Sequence, residues 1–218
     1  MNLKDKSLSD IVCEVPNAII ILRAHNLDFC HEGQLSLSLA SRMAGADIEV
    51  INNALETQAR TQPPLRDWRN VDSGELIDHI LEHFHEKHRM DIPHLISMAE
   101  RVERSHAEHP LCPHGLADLL LATGEDLHFH MLKEEEVLFP LLRQNRRAMA
   151  EGPIRVMQME HVQHGEALQT ILMQSHDLQA PPEACGTWRT LYKGLEALRD
   201  DLLEHIHLEN NILFRETH

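Results

Sequence analysis

The sequence has few aromatic residues and no long apolar segment. Aromatic residues make up 4% of the 218 positions, so a buried core must be built mainly from Leu, Ile, Val and Met. The longest apolar run covers residues 18–22, whereas a membrane-spanning helix needs about 20 apolar residues. The N-terminus is polar and lacks the features of a signal peptide. The sequence therefore predicts a cytoplasmic protein that does not enter a membrane.

Basic residues are scarce. The chain has 20 Lys and Arg residues against 35 Asp and Glu residues, which gives a formal net charge of −15. Binding to phosphates of nucleic acids requires a basic surface, so we exclude a nucleic-acid partner.

Cysteine is also rare, and the four residues are far apart. Cys13, Cys30, Cys112 and Cys185 form no C-x2-C pair, which excludes a zinc ribbon and a dense disulfide framework. This usage favours a reducing compartment. Histidine, by contrast, is abundant at 18 of 218 residues, and imidazole is a common ligand of transition metals.

The first sixty residues predict a small helical domain. A helix capped by Ser9-Asp10 is expected to run through Leu22, and a loop follows it up to Gly33. Leu35 leads into a second helix, and Asp47 is placed to cap a third. We therefore assign residues 1–60 to an N-terminal helical domain that contains Cys30.

Two adjacent prolines end this region, since Thr61-Gln-Pro-Pro64 cannot continue a helix. We take residues 61–72 as a linker. Four long helical segments follow, which we place at residues 73–106, 116–144, 153–175 and 182–214. Pro93 is expected to kink the first segment, and Gly152-Pro153 to begin the third. Short connections predict an up-down-up-down four-helix bundle over residues 73–218, and the fold class is all-α.

Two of these segments carry the same motif. His130 and Glu134 are four residues apart and are followed by Leu-Phe, and His205 and Glu209 repeat the pattern. Residues four apart lie on one face of a helix, so each motif presents an imidazole beside a carboxylate.

The repeat extends upstream of both motifs. His85 lies 45 residues before His130, and His161 lies 44 residues before His205. Two similar helical hairpins would bring these side chains around one point, where the carboxylates could bridge two metal ions. The predicted ligands are His85, His130, Glu134, His161, His205 and Glu209.

Alternatives remain at this point. The histidine share suits iron that binds O2 or NO, but zinc and copper also accept imidazole. His88 and His164 are equivalent to each other and could replace His85 or His161. His106 lies too far along its helix from His85 to bind the same site. A further alternative is a structural bundle without a metal, in which the His–Glu pairs are solvated. The internal repeat disfavours this interpretation.

At these residues the sequence resembles the RIC (repair of iron centres) family. The matching stretches are the 77–80 segment before His85, the 130–140 segment, Pro181-Pro-Glu-Ala-Cys185, and the 201–213 segment. The resemblance implies a cysteine-bearing N-terminal domain joined to a hemerythrin-like bundle. It also implies two non-haem irons bridged by carboxylates and by an oxo or hydroxo group, held by the six residues above.

The resemblance implies the repair of iron–sulfur clusters damaged by nitric oxide or oxidants. Its partners would be damaged or apo iron–sulfur proteins, together with the small ligands NO and O2. Repair could proceed by iron donation or by reduction of NO, which would be an enzymatic activity. The alternative is a hemerythrin-like O2 or NO sensor or carrier. Whether the chain forms a homodimer is left open.

Two further residues are functional candidates. Glu160 matches an acidic family residue associated with access to the metal. Cys30 stands where the family has two adjacent cysteines, but here His31 occupies the second position. A dithiol role is therefore in doubt, while Cys30 beside His31 could still bind iron or NO or carry thiol chemistry.

Overall fold

The structure, a computed structural model, describes residues 2–62 and 66–215. The described residues form helices and no β-strand, which confirms the all-α prediction; Ser7 and Ser36 form an isolated bridge. In the same residues, no helix is both long and apolar enough to cross a membrane. Pro63 and Pro64, which define the predicted linker, lie outside the described residues, and that domain division stays a prediction.

The chain divides into two compact units, Met1–Leu76 with Leu202–His218 and Ile77–Asp201. The first unit begins with four short helices, which are α1 (Leu8–Glu14), α2 (Ala18–Ala24), α3 (Leu37–Ala44) and α4 (Ile48–Thr61). Ser7, Ser36 and Asp47 cap three of them, each accepting a hydrogen bond from a backbone N–H of the first turn.

One N-terminal prediction was wrong. The expected helix through Leu22 is two helices, α1 and α2, because Pro16 lies between them. Proline disfavours a helical conformation at the residue before it, and Val15 is extended in the structure. Asn17 then takes a left-handed conformation with φ of 59°.

The helices after α4 form four longer segments of the described chain. They are α5 (Ser73–Ile80) with α6 (Glu86–Ser105), α7 (Leu116–Lys133) with α8 (Phe139–Arg143), α9 (Arg147–Gln174), and α10 (Gly186–Leu208). Three π turns continue or join these helices. The first is Leu81–His85, the second is Glu134–Leu138 and the third is Glu209–Leu213.

Two predicted helix starts were wrong. Helix α9 begins at Arg147 rather than at Pro153, because Pro153 removes only the hydrogen bond to the carbonyl of Met149, and Met149 is exposed to water. Helix α10 begins at Gly186 rather than near Pro182. The Arg189 side chain donates hydrogen bonds to the carbonyls of Ala184 and Pro182, which lie outside the helix.

Within the second unit, α6 packs on α7 and α7 packs on α9. Glycines permit close approach at two points of this unit. A Cβ at Gly124 would lie 2.7 Å from Ile92 Cγ2, and one at Gly194 would lie 2.6 Å from Leu95 Cδ2. Pro93 lies inside α6, which continues through it to Ser105.

Helix α7 depends on a side chain from α6 for its N-terminal hydrogen bonds. Gly115 precedes α7 and offers no side-chain cap. The Glu103 carboxylate accepts hydrogen bonds from the backbone N–H groups of Gly115 (3.1 Å) and Ala117 (2.8 Å) instead.

We predict that Glu103→Ala lowers the free energy of unfolding by about 1 kcal/mol, because these N–H groups lose their acceptor. Urea denaturation measures the change. Glu100→Ala, at an exposed glutamate of the same helix, is the control and should change stability by less than about 0.5 kcal/mol. Equal effects of the two substitutions would contradict the capping role.

Candidate metal centre

In the second unit, the carboxylate of Glu134 lies between two imidazoles. Its Oε2 is 3.5 Å from His85 Nε2, and its Oε1 is 3.4 Å from His130 Nε2. All three side chains are buried, with at most 1% of their surface exposed. An ionised carboxylate at such a site requires compensating positive charge, which a metal ion supplies.

His161 joins this group from α9. Its Nε2 lies 3.1 Å from His130 Nε2, and one ligand atom each of His130, Glu134 and His161 lie within 4.8 Å of one another. The structure therefore brings four predicted ligands together within the second unit, which are His85, His130, Glu134 and His161.

The first unit contains the remaining predicted pair. His205 Nε2 lies 3.3 Å from Glu209 Oε1, and both side chains are buried. This pair repeats the geometry of His130 and Glu134, as the matching motifs predict. Imidazole nitrogens and carboxylate oxygens, buried in these pairs, are the donor set of di-iron bundles, so the residues present fit that group.

Each π turn contains a predicted ligand at one end. The first ends at His85, the second begins at Glu134, and the third begins at Glu209. A π turn adds one residue to a helical turn and is found frequently at functional sites. These π turns were not predicted from the sequence, since their residues also fit an ordinary α-helix.

A second layer of carboxylates fixes the orientation of two imidazoles. Glu135 Oε1 lies 2.7 Å from His85 Nδ1, and Glu160 Oε2 lies 2.9 Å from His130 Nδ1. A carboxylate can only accept, so each Nδ1 carries the proton and donates it. Nε2 is then the unprotonated nitrogen of each ring, which is the form of imidazole that binds a metal.

Both outer carboxylates also contact a cation. Arg89 donates to Glu135 at 2.6 Å, and Lys133 donates to Glu160. Partial burial raises the pKa of each carboxyl, but the hydrogen bonds from the imidazole and the cation outweigh it and lower the pKa below its usual value. Glu135 was not predicted from the sequence, because its neighbour Glu134 forms the His-x3-Glu motif and Glu135 belongs to no motif.

Glu160 also lines a cavity of about 170 Å³ in the second unit. The other lining residues are Thr123, Asp126, Phe129, Lys133, Gln163, His164 and Ala167. This position is compatible with the expected role of Glu160 in access to the metal, which stays a prediction.

Cys30 and His31 have different surroundings. Cys30 is buried, and its thiol donates a hydrogen bond to the carbonyl of Leu203 at 3.2 Å. Burial raises the pKa of this thiol well above its usual value. His31 is exposed and lies beside Asp28, with 2.9 Å between Nδ1 and Oδ2. The predicted thiol chemistry of Cys30 stays a prediction.

Four histidines outside the predicted ligand set have distinct surroundings. His88 and His164 are buried, and the His164 ring lies 4.7 Å from that of His130. His207 is buried as well, and burial lowers its pKa to about 4. His106 follows the end of α6 and packs against Trp188, with ring centroids 5.0 Å apart.

Two family models match the chain. The Hemerythrin HHE cation binding domain matches residues 76–217, and ScdA_N, a domain of unknown function, matches residues 4–59. The Hemerythrin model covers all six predicted ligands.

Curated relatives match nearly the full length. The iron–sulfur cluster repair protein YtfE of Shigella boydii serotype 4 is 42% identical over 214 residues, which cover 98% of this chain and 97% of that protein. The protein of the same name from Dickeya chrysanthemi is 43% identical over 215 residues, with the same coverage. The protein of the same name from Escherichia coli O8 is also 42% identical, over 214 residues.

The chain therefore belongs to the RIC family of iron–sulfur cluster repair proteins, as the sequence resemblance predicted. It combines an N-terminal helical region with a hemerythrin-type helical domain, and its cofactor is the di-iron centre of that domain.

We predict that Glu135→Ala weakens iron binding by about tenfold, because the His85 ring loses the acceptor that fixes its tautomer and orientation. Glu135→Gln keeps an oxygen acceptor and should restore most of the affinity. Competition with a chelator measures the affinity, and the visible spectrum reports the iron environment.

The neighbouring Glu136 is exposed and supplies a charge-matched control. Glu136→Ala should leave both the affinity and the spectrum unchanged. An equal loss of affinity in both alanine variants would show that charge, rather than the bond to His85, is responsible.

The four thiols should differ in reactivity. Burial raises the pKa of Cys13 to about 11 and also raises that of Cys112 and Cys30. A hydrogen bond from the backbone N–H of Trp188, and a second from His106, lower the pKa of Cys185. Because the thiolate is the reactive form, we predict that iodoacetamide labels Cys185 first near neutral pH.

Peptide mass spectrometry of briefly labelled, folded protein measures this order. In a Cys185→Ser variant the fast labelling should disappear, and the remaining thiols should react only on unfolding. Rapid labelling of Cys30 in the folded chain would contradict the assignment.

Proposed function

We propose that the chain repairs damaged iron–sulfur clusters with a di-iron centre held by the six predicted ligands. These are His85, His130, Glu134, His161, His205 and Glu209. The observation that carries the proposal is the buried Glu134 carboxylate, which has the Nε2 atoms of His85 and His130 at 3.5 and 3.4 Å. The relatives that are named as iron–sulfur cluster repair proteins support the same task.

In this proposal the carboxylates of Glu134 and Glu209, together with the four imidazoles, would hold the two irons. Iron bound in this way supplies redox chemistry and positions for small ligands. Glu135 and Glu160 hold the protons on Nδ1 of His85 and His130, so that Nε2 would be the nitrogen of each ring that binds the metal. Glu160 and Lys133 line the cavity, and we assign them to the access route.

Two routes to repair follow from this chemistry. Iron held at this site would be available for donation to an apo-cluster, or, in its ferrous state, would supply the electrons that reduce nitric oxide. The partners are iron–sulfur proteins in both cases. All four cysteines are free, which supports a reducing, cytoplasmic location.

The second candidate function is reversible carriage or sensing of O2 or NO. A carrier needs only the hemerythrin-type domain. Residues 4–59 match a separate family model, and the similarity to curated repair proteins extends over 98% of the chain, which favours repair. We propose residues 1–60 as the N-terminal domain, 61–72 as the linker and 73–218 as the bundle.

The test begins with anaerobic reconstitution of the full chain. We expect about two irons per chain, since a carboxylate-bridged bundle holds a pair. The reduced protein is then added to a [4Fe–4S] hydratase that nitric oxide has inactivated, and recovery of hydratase activity is measured. Wild-type protein should restore activity, whereas Glu134→Ala should bind less iron and fail to do so.

Glu136→Ala, beside the ligand but exposed, is the matched control and should act like the wild type. Less than about one iron per reconstituted chain would contradict the di-iron centre. Full iron content without recovery of the hydratase, together with reversible O2 binding, would favour the carrier.

A further inference from the structure

A loop of the N-terminal region contacts the third π turn. We call residues 28–33 the Cys30 loop. The side chain of Asn211, in the middle of the π turn, donates hydrogen bonds to the carbonyls of Phe29 (3.0 Å) and Cys30 (3.1 Å). Asn211 is 5% exposed, so these bonds replace water at two buried carbonyls.

The preceding turn of α10 is bound by the same loop. The Cys30 thiol donates to the carbonyl of Leu203 at 3.2 Å, two residues before His205. Asn210 Nδ2 lies 3.3 Å from the Cys30 carbonyl. Bonds from the Cys30 loop therefore reach both sides of His205 and Glu209 along the chain.

The loop is itself well anchored. Asp28 Oδ1 accepts hydrogen bonds from the backbone N–H groups of Cys30 and His31, and the Gly33 carbonyl accepts one from Ser9 of α1. A Cβ at Gly33 would lie 2.3 Å from Asn211 Oδ1. Glycine is therefore required for the loop to approach Asn211 so closely.

The internal repeat shows what is special about this contact. The second and third π turns both begin at the glutamate of a His-x3-Glu motif. Position 211 corresponds to Glu136, which is exposed, whereas Asn211 is buried against the Cys30 loop. The two copies thus share their predicted ligands but differ in what surrounds the π turn.

We propose that Asn211 is a positioning residue for the ligands Glu209 and His205, and that the Cys30 loop is a structural part of the metal site. A metal site needs its ligands held within about 0.5 Å, which a π turn alone does not guarantee. The Cys30 thiol then acts as a hydrogen-bond donor to the ligand helix. This inference rests on the proposed di-iron function.

The test compares Asn211→Ala with two controls in the full-length, iron-loaded protein. Asn52→Ala removes another buried asparagine, which accepts from the backbone N–H of Leu3 far from the π turn in sequence. Glu136→Ala changes the equivalent position of the second π turn. Iron affinity is measured by chelator competition, the iron environment by Mössbauer and visible spectra, and the π turn by amide hydrogen exchange.

Asn211→Ala should bind iron about tenfold more weakly, with altered spectra and faster exchange over residues 209–213. Asn52→Ala should lower stability but keep the affinity and spectra, and Glu136→Ala should change neither. Unchanged affinity and spectra in Asn211→Ala, or an equal loss in Asn52→Ala, would overturn the proposal. Absence of iron from the wild type would instead refute the proposed function.

A second pair of variants covers the case in which Asn211→Ala does not fold. Cys30→Ala removes the hydrogen bond to Leu203, while Cys30→Ser keeps a donor at the same place. The alanine variant should lose iron affinity and the serine variant should recover it. Equal affinities of the two variants would show that the bond to Leu203 does not position the ligands.

Discussion

The Glu134 carboxylate is fully buried, with one imidazole nitrogen near each of its oxygens. A charge at such a depth is costly unless positive charge and hydrogen bonds compensate it, and the metal ions of the centre would supply that positive charge. Glu135 and Glu160 accept hydrogen bonds from the rings of His85 and His130. These two carboxylates in turn accept hydrogen bonds from Arg89 and Lys133. Outward from the site, each of these imidazoles is followed by a carboxylate, and each of these carboxylates by a cation.

The π turns connect this chemistry to the helices. An ordinary helix offers side chains at a constant angular spacing, which suits core packing but limits where ligands point. The π turn that begins at Glu134 rotates the side chains after Glu134 around the helix axis relative to an ordinary helix. Leu138, which ends the turn, and Phe139, which follows it, are both buried. The third π turn repeats this arrangement from Glu209 onward, where Leu213 ends the turn and Phe214 follows it, and both are buried.

The N-terminal region has a role that its composition does not suggest. Cys30 is buried and its thiol pKa is raised, which favours hydrogen bonding over nucleophilic chemistry. The replacement of a second cysteine by His31 is then understandable, because His31 faces Asp28 at the surface and takes no part in the bond to Leu203. If the Cys30 loop positions Glu209, the family's two domains act on one site.

The sequence by itself determined the all-α class, the family and the two pairs of histidine and glutamate four residues apart. Such spacing is a local property, because helix geometry alone brings the two side chains to one face. Only the tertiary structure decided that Glu135 binds His85, that Asn211 meets the carbonyls of residues 29 and 30, and that the helices contain π turns. These contacts join residues up to 182 positions apart. Nothing in the local pattern around either partner encodes such a pairing, which exists only once the helices have packed.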